Sequence, residues 1–188
     1  MTGGGVYVSG ADVTVSATTN SGYTFARWSG DCSGTGTCTV TMDSDKSVIA
    51  NFEPPSTDGL RTITIGEGVV EGAIEVAGEF EPWLLEVADE TTVDIYLWSE
   101  TGALDTHLWL YEGVATDAGA NSVDSSDDNS SAFESAVAQG ILGRPVGGNY
   151  NSAVMGVVLE SGTYSIVPRS YRGLGAGDYN LLVMDSSQ

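Results

Sequence analysis

The sequence predicts an all-β protein, a small β module followed by a jelly-roll β-sandwich, and three observations carry that reading. Short runs alternate apolar and polar residues, as in Asp12-Val13-Thr14-Val15-Ser16-Ala17 and Cys38-Thr39-Val40-Thr41-Met42, the period of half-buried strands. Thr, Val, Ser and Tyr are frequent, runs of helix formers are scarce, and 25 glycines supply tight turns. Eight or so strand-like runs with turn residues between them fill the second part, the pattern of a sandwich of the jelly-roll kind.

At 188 residues the chain suits two small domains better than one large one. In the first part, strands are expected at 12–17, 23–28, 38–42 and 47–52, separated by turn residues such as Asn20-Ser21-Gly22 and Asp43-Ser44-Asp45-Lys46. Residues 1–53 therefore form the first module. The polar, proline-bearing stretch 54–60 reads as a linker, and residues 61–188 form the second module. Strand patterns recur there at 62–65, 69–76, 82–87, 92–98, 107–111, 154–159, 162–171 and 177–184. Residues 112–151 break the rhythm. Within them Ser131–Gln139 suits a short helix capped by Ser130 or Ser131 and stopped by Gly140, and the rest reads as an exposed loop.

Charge limits the partners. There are 26 acidic residues against 6 basic ones, a formal net charge of -20. This balance excludes nucleic acid, whose phosphates need clustered Lys and Arg, and disfavours anionic membrane. Residues 59–188 carry 20 acids and 4 bases, so any cation site belongs to the second module. No apolar run approaches the ~20 residues that span a bilayer, so no membrane insertion is expected. The opening Met1-Thr2-Gly3-Gly4-Gly5 lacks the regions of a signal peptide. An export signal and a parent enzyme domain are expected outside this segment.

Cys32 and Cys38 enclose five small residues, Ser-Gly-Thr-Gly-Thr, a span that lets the sulfurs meet, and a local disulfide would place the chain outside the cytosol. The competing arrangement, a two-thiolate metal site, would need two more ligands from a chain with one histidine and no other cysteine.

The segment with Gly3-Gly4-Gly5-Val6-Tyr7, then Gly22, Tyr23, Phe25 and Trp28, and finally Ala50-Asn51-Phe52 resembles the divergent internalin-B-type B repeat of bacterial surface and secreted proteins. The resemblance covers about residues 3–53 and implies a small β-grasp-like spacer or adhesion repeat. Tyr23, Phe25 and Trp28 could form a sugar-stacking platform, but alternation places Tyr23 and Phe25 on one face and Trp28 beside a turn, where they cover a small core.

Leu104-Asp105-Thr106-His107-Leu108-Trp109-Leu110-Tyr111 and Gly177-Asp178-Tyr179-Asn180-Leu181 resemble the bacterial pre-peptidase C-terminal domain over about residues 62–185. That family implies a jelly-roll module appended to secreted proteases and other exoenzymes. Some of its members bind calcium, and the collagen-binding domains of clostridial collagenases are similar to it. The insertion around residues 130–151 departs from the family pattern.

Asp105 precedes a strand, and Asp124, Asp127, Asp128 and Asn129 cluster in one loop. Together they offer the hard oxygen donors that Ca²⁺ prefers. The alternative is a solvated acidic loop, since no EF-hand spacing is present. Catalysis finds no motif: one histidine, no Gly-x-Ser-x-Gly elbow, no His-Glu-x-x-His and no phosphate loop. His107 is expected on the solvent side of its strand, opposite Leu108 and Leu110. The expected function is a non-catalytic accessory module pair of a secreted exoenzyme, calcium-dependent, with an extracellular protein or polysaccharide as candidate ligand. The alternative is a structural spacer or adhesion segment of a cell-surface protein.

Overall fold

The structure is a computed structural model that describes residues 1–19, 23–79, 81–99, 104–115, 122–142 and 150–187. The chain divides into two compact units, Met1–Ser56 and Thr57–Gln188.

Among the described residues the first unit has four strands, β1 (Asp12–Val15), β2 (Thr24–Gly30), β3 (Cys38–Thr41) and β4 (Val48–Glu53). The grasp-like module takes the form of two antiparallel ladders, β1 with β3 and β2 with β4. Val13, Val15, Trp28, Cys38 and Val40 form its buried core, with Phe25, Met42 and Val48 against them. Strict alternation would put Phe25 and Trp28 on opposite faces. A register shift between Phe25 and Arg27 inserts one extra residue, and such a bulge brings the two rings to the same side. Their centroids are 4.9 Å apart.

Tyr23 departs from expectation. It is half-exposed because it lies beyond the Thr24 to Glu53 pair that ends the ladder. Cys32 and Cys38 are disulfide-bonded, and their loop folds over Trp28, whose backbone N–H donates to Gly34 O at 2.8 Å and whose indole N–H donates to Gly36 O at 2.9 Å. The turn at Asn20-Ser21-Gly22 lies outside the described residues.

The second unit contains β5 (Arg61–Ile63), β6 (Val70–Ile74), β7 (Trp83–Val87), β8 (Thr91–Trp98), β9 (Thr106–Glu112), β10 (Ser122–Asp127), α1 (Ser130–Ala138), β11 (Ser152–Leu159), β12 (Gly162–Ser170) and β13 (Gly177–Asp185). One sheet has the order β10-β9-β12-β7-β5 and the other β11-β8-β13-β6. The antiparallel pairs are nested: β9 with β10, β8 with β11, β7 with β12 and β6 with β13. A long hairpin folded over on itself in this way is a jelly roll. β5 adds a parallel edge strand beside β7.

Between the sheets lies one apolar core that includes Leu85, Ile95, Leu97, Leu108, Leu110, Ile166, Leu181 and Val183. The helix has a separate task. Phe133 and Ala136 pack with Tyr96, Trp98, Ala153 and Leu182, covering the outer face of the four-stranded sheet. Tyr96 and Phe133 meet edge to face with centroids 5.4 Å apart. Asn129, one residue before the expected cap, is the N-cap, and Gly140 follows the helix at φ 76°, where glycine carries no side-chain penalty. Within the stretch expected as a loop, Ser122–Asp127 forms an edge strand, while residues 116–121 and 143–149 lie outside the described residues.

Candidate metal centre

Strand register builds the acidic group. His107 pairs with Asp127 across the antiparallel β9–β10 ladder, so the residue just before β9 and those at and just after the end of β10 arrive side by side. Asp105 therefore meets Asp127 and Asp128, with one carboxylate oxygen from each lying within 4.8 Å of the others. Asp128 has φ 53°, a left-handed conformation in which Asp and Asn are enriched several-fold. This turn carries the chain from strand to helix and leaves the Asp128 carboxylate beside its neighbours. The backbone O of Asp105 is fixed by an N–H from Tyr171 at 2.8 Å.

The group is poorly compensated as it stands. Asp105 Oδ1 is shielded from solvent and has no hydrogen-bond partner among the described residues. Burial first, then the Asp128 and Asp127 charges, push its carboxyl above the usual range. Burial and Asp127 do the same to Asp128. Hard oxygen donors of like charge beside a buried carboxylate oxygen are a set that could hold a divalent cation such as Ca²⁺, which would offset their repulsion.

Two sequence-expected ligands stand apart. The Asp124 side chain is exposed and accepts from its neighbour Ser125 N at 2.7 Å. It lies outside the converging group: two residues, Ser125 and Ser126, separate it from Asp127, and along a strand an offset of three places the two side chains on opposite faces. The Asn129 amide is committed to structure: its Oδ1 accepts from Ala132 N at 3.3 Å and its Nδ2 donates to Ala153 O at 3.1 Å. The helix start and β11 use the groups that a metal would need.

On the same strand, His107 and Trp109 are half-buried with ring centroids 4.9 Å apart on the outer face, opposite Leu108 and Leu110. Burial, with a smaller contribution from Arg169, holds the His107 imidazole below its usual pKa, although Asp127 acts in the other direction. Sequence reasoning placed His107 correctly but missed the cleft it lines. The available signal was the sequence Arg169-Ser170-Tyr171-Arg172, two of the chain's few cations flanking an aromatic residue.

Among the described residues no helix is long and apolar enough to cross a membrane. No curated protein matches the chain. Among solved structures, the chain is similar to the pre-peptidase C-terminal domain of a collagenase from Bacillus anthracis. The identity is 17%, 68% of this chain and 97% of that one are covered, and the TM-score is 0.46. It is also similar to PliG of Aeromonas hydrophila, a periplasmic inhibitor of g-type lysozyme, at 11% identity, 66% and 96% coverage and a TM-score of 0.42. Residues 1–56, the whole of the first unit, match the family model of the divergent InlB B-repeat domain.

Proposed function

We propose that this chain is a non-catalytic accessory segment of an exported protein, whose jelly-roll unit is fixed by Ca²⁺ held at Asp105, Asp127 and Asp128. The observation that carries the reading is the Oδ1 of Asp105, shielded from solvent and without a hydrogen-bond partner among the described residues, close to two further carboxylates. A bound cation would tie the start of β9 to the β10–α1 turn and so anchor the helix that covers the outer sheet. The disulfide supports an oxidising compartment. The family matched by the first unit is a repeat domain, in keeping with an accessory role.

Melting the protein in high NaCl with EDTA, then with excess CaCl₂, tests the metal. Salt screens the general acidity in both conditions, so a further rise in Tm reports specific binding. Calcium at ~100 times its Kd contributes about 2.7 kcal/mol. Absence of that rise, or its full retention in Asp127→Asn, overturns the site.

A further inference from the structure

The outer face of the five-stranded sheet carries a cleft of about 350 Å³ lined by Gly78, Glu79, His107, Trp109 and the segment 169–173, a size within the range of small-ligand sites. Its composition is unlike the rest of the molecule. Two of the chain's six Lys and Arg residues, Arg169 and Arg172, line it, in a chain of net charge -20. Arg172 is exposed and has φ 54°, a left-handed conformation that suits glycine and is costly for a residue such as arginine. Its guanidinium stands over the Tyr171 ring, 5.0 Å from the centroid. Glu79, the one carboxylate among the described lining residues, accepts through Oε2 from the backbone N–H groups of Glu75 and Val76. Imidazole, indole and phenol rings follow one another, His107 lying 4.9 Å from Trp109 and 6.3 Å from Tyr171.

We propose that this cleft binds a carboxylate-bearing sugar residue of an acidic polysaccharide, with Arg169 and Arg172 on the carboxylate and Trp109 and Tyr171 against the sugar ring. A uronate ring is rigid and carries an apolar C–H face and an anion within one unit. That combination matches aromatic rings set beside guanidinium groups. The floor favours a sugar over a peptide strand. β9 lies between β10 and β12, and β12 lies between β9 and β7, so neither has a free edge for an extended peptide to pair with. The assignment rests on the lining side chains and not on the metal. Asp127 is the cross-strand partner of His107, which lines the cleft, and calcium is included in the assay to offset the Asp127 charge.

Calorimetric titration of the full chain with tetragalacturonate, in physiological salt with millimolar calcium, tests the proposal. The calcium dependence of Tm is recorded on the same preparation, so failure of sugar binding and failure of the metal site read separately. Tetragalacturonate is expected to bind at least about tenfold more tightly than maltotetraose, the difference that one charge-assisted contact supplies. Arg172→Gly is the decisive variant, because glycine suits the backbone there. It should keep or raise Tm while weakening binding about tenfold, and Arg169→Gln should weaken binding similarly. Equal affinity for maltotetraose, equal affinity for hexaglutamate, or unchanged binding by Arg172→Gly would each overturn the assignment.

Discussion

Gly72 and Tyr179 face each other across the β6–β13 ladder so closely that a Cβ on Gly72 would clash with the hydroxyl-bearing end of the tyrosine ring. The ring is held in place, since Tyr179 is buried and its hydroxyl accepts from Trp83 Nε1 at 2.8 Å. Gly72→Ala is therefore expected to lower stability by about 1 to 3 kcal/mol, the cost of overpacking a close-packed site. Denaturant titration checks this, and an unchanged midpoint would show that the ring moves freely.

Tyr179→Phe leaves the indole N–H of Trp83 without its acceptor. The expected loss is about 1 to 3 kcal/mol at neutral pH. Burial also raises the Tyr179 phenol pKa. A group whose pKa is raised on folding contributes stability that is full below its unfolded value, ~10 for tyrosine, and declines as pH rises through the folded one. The wild type should therefore lose stability above pH ~10 more steeply than Tyr179→Phe. Tyr96 and Tyr164 are shifted the same way, so some slope persists in the variant. Denaturant midpoints of both proteins across the alkaline range provide the comparison.

Asn129 separates capping from metal binding. Asn129→Ala removes the acceptor for Ala132 N and should destabilise by about 1 kcal/mol, as loss of an N-cap does, while the calcium-induced rise in Tm survives. Asp124→Asn should leave both properties unchanged. A calcium response that disappears in either variant would place the metal ligands differently from Asp105, Asp127 and Asp128.

Reduction of Cys32–Cys38 should lower the stability of the first unit by about 2 kcal/mol in the chain-entropy model for so short a loop. The loop holds both Trp28 hydrogen bonds, so the Trp28 environment should change with it. Indole fluorescence of a protein keeping Trp28 as its single tryptophan, followed during denaturation with and without reductant, measures the effect.

Most strands were legible because alternation survives wherever one face is buried, as along Thr106–Glu112, where Leu108 and Leu110 face the core and His107 and Trp109 face outward. The resemblance of residues 3–53 to a divergent B repeat rested on Tyr23, Phe25 and Trp28 and the closing Ala-Asn-Phe, and the family model matches residues 1–56. Strand β10 was not legible: Ser-Val-Asp-Ser-Ser-Asp has little strand propensity, and the segment is extended because it pairs with β9 at the sheet edge. The acidic loop looked uniform in sequence. Pairing with β9 sorts its members, sending Asp127 and Asp128 towards Asp105, leaving Asp124 in solvent and giving Asn129 to the helix. The cleft needed tertiary structure, because the 169–173 segment and Glu79 meet only when β12 and the β6–β7 connection lie together.

The nested pairing of the second unit also orders its folding. Pairing Gly72 with Tyr179 directly would close a very long loop, whereas pairing His107 with Asp127 closes a short one. Each inner ladder, once formed, shortens the effective separation of the next, so the conformational search advances outward from β9–β10 by small entropic steps. The β6–β13 ladder is then the last to close. Mutations at its Gly72 contact should accelerate unfolding and leave the refolding rate nearly unchanged, a φ-value near zero.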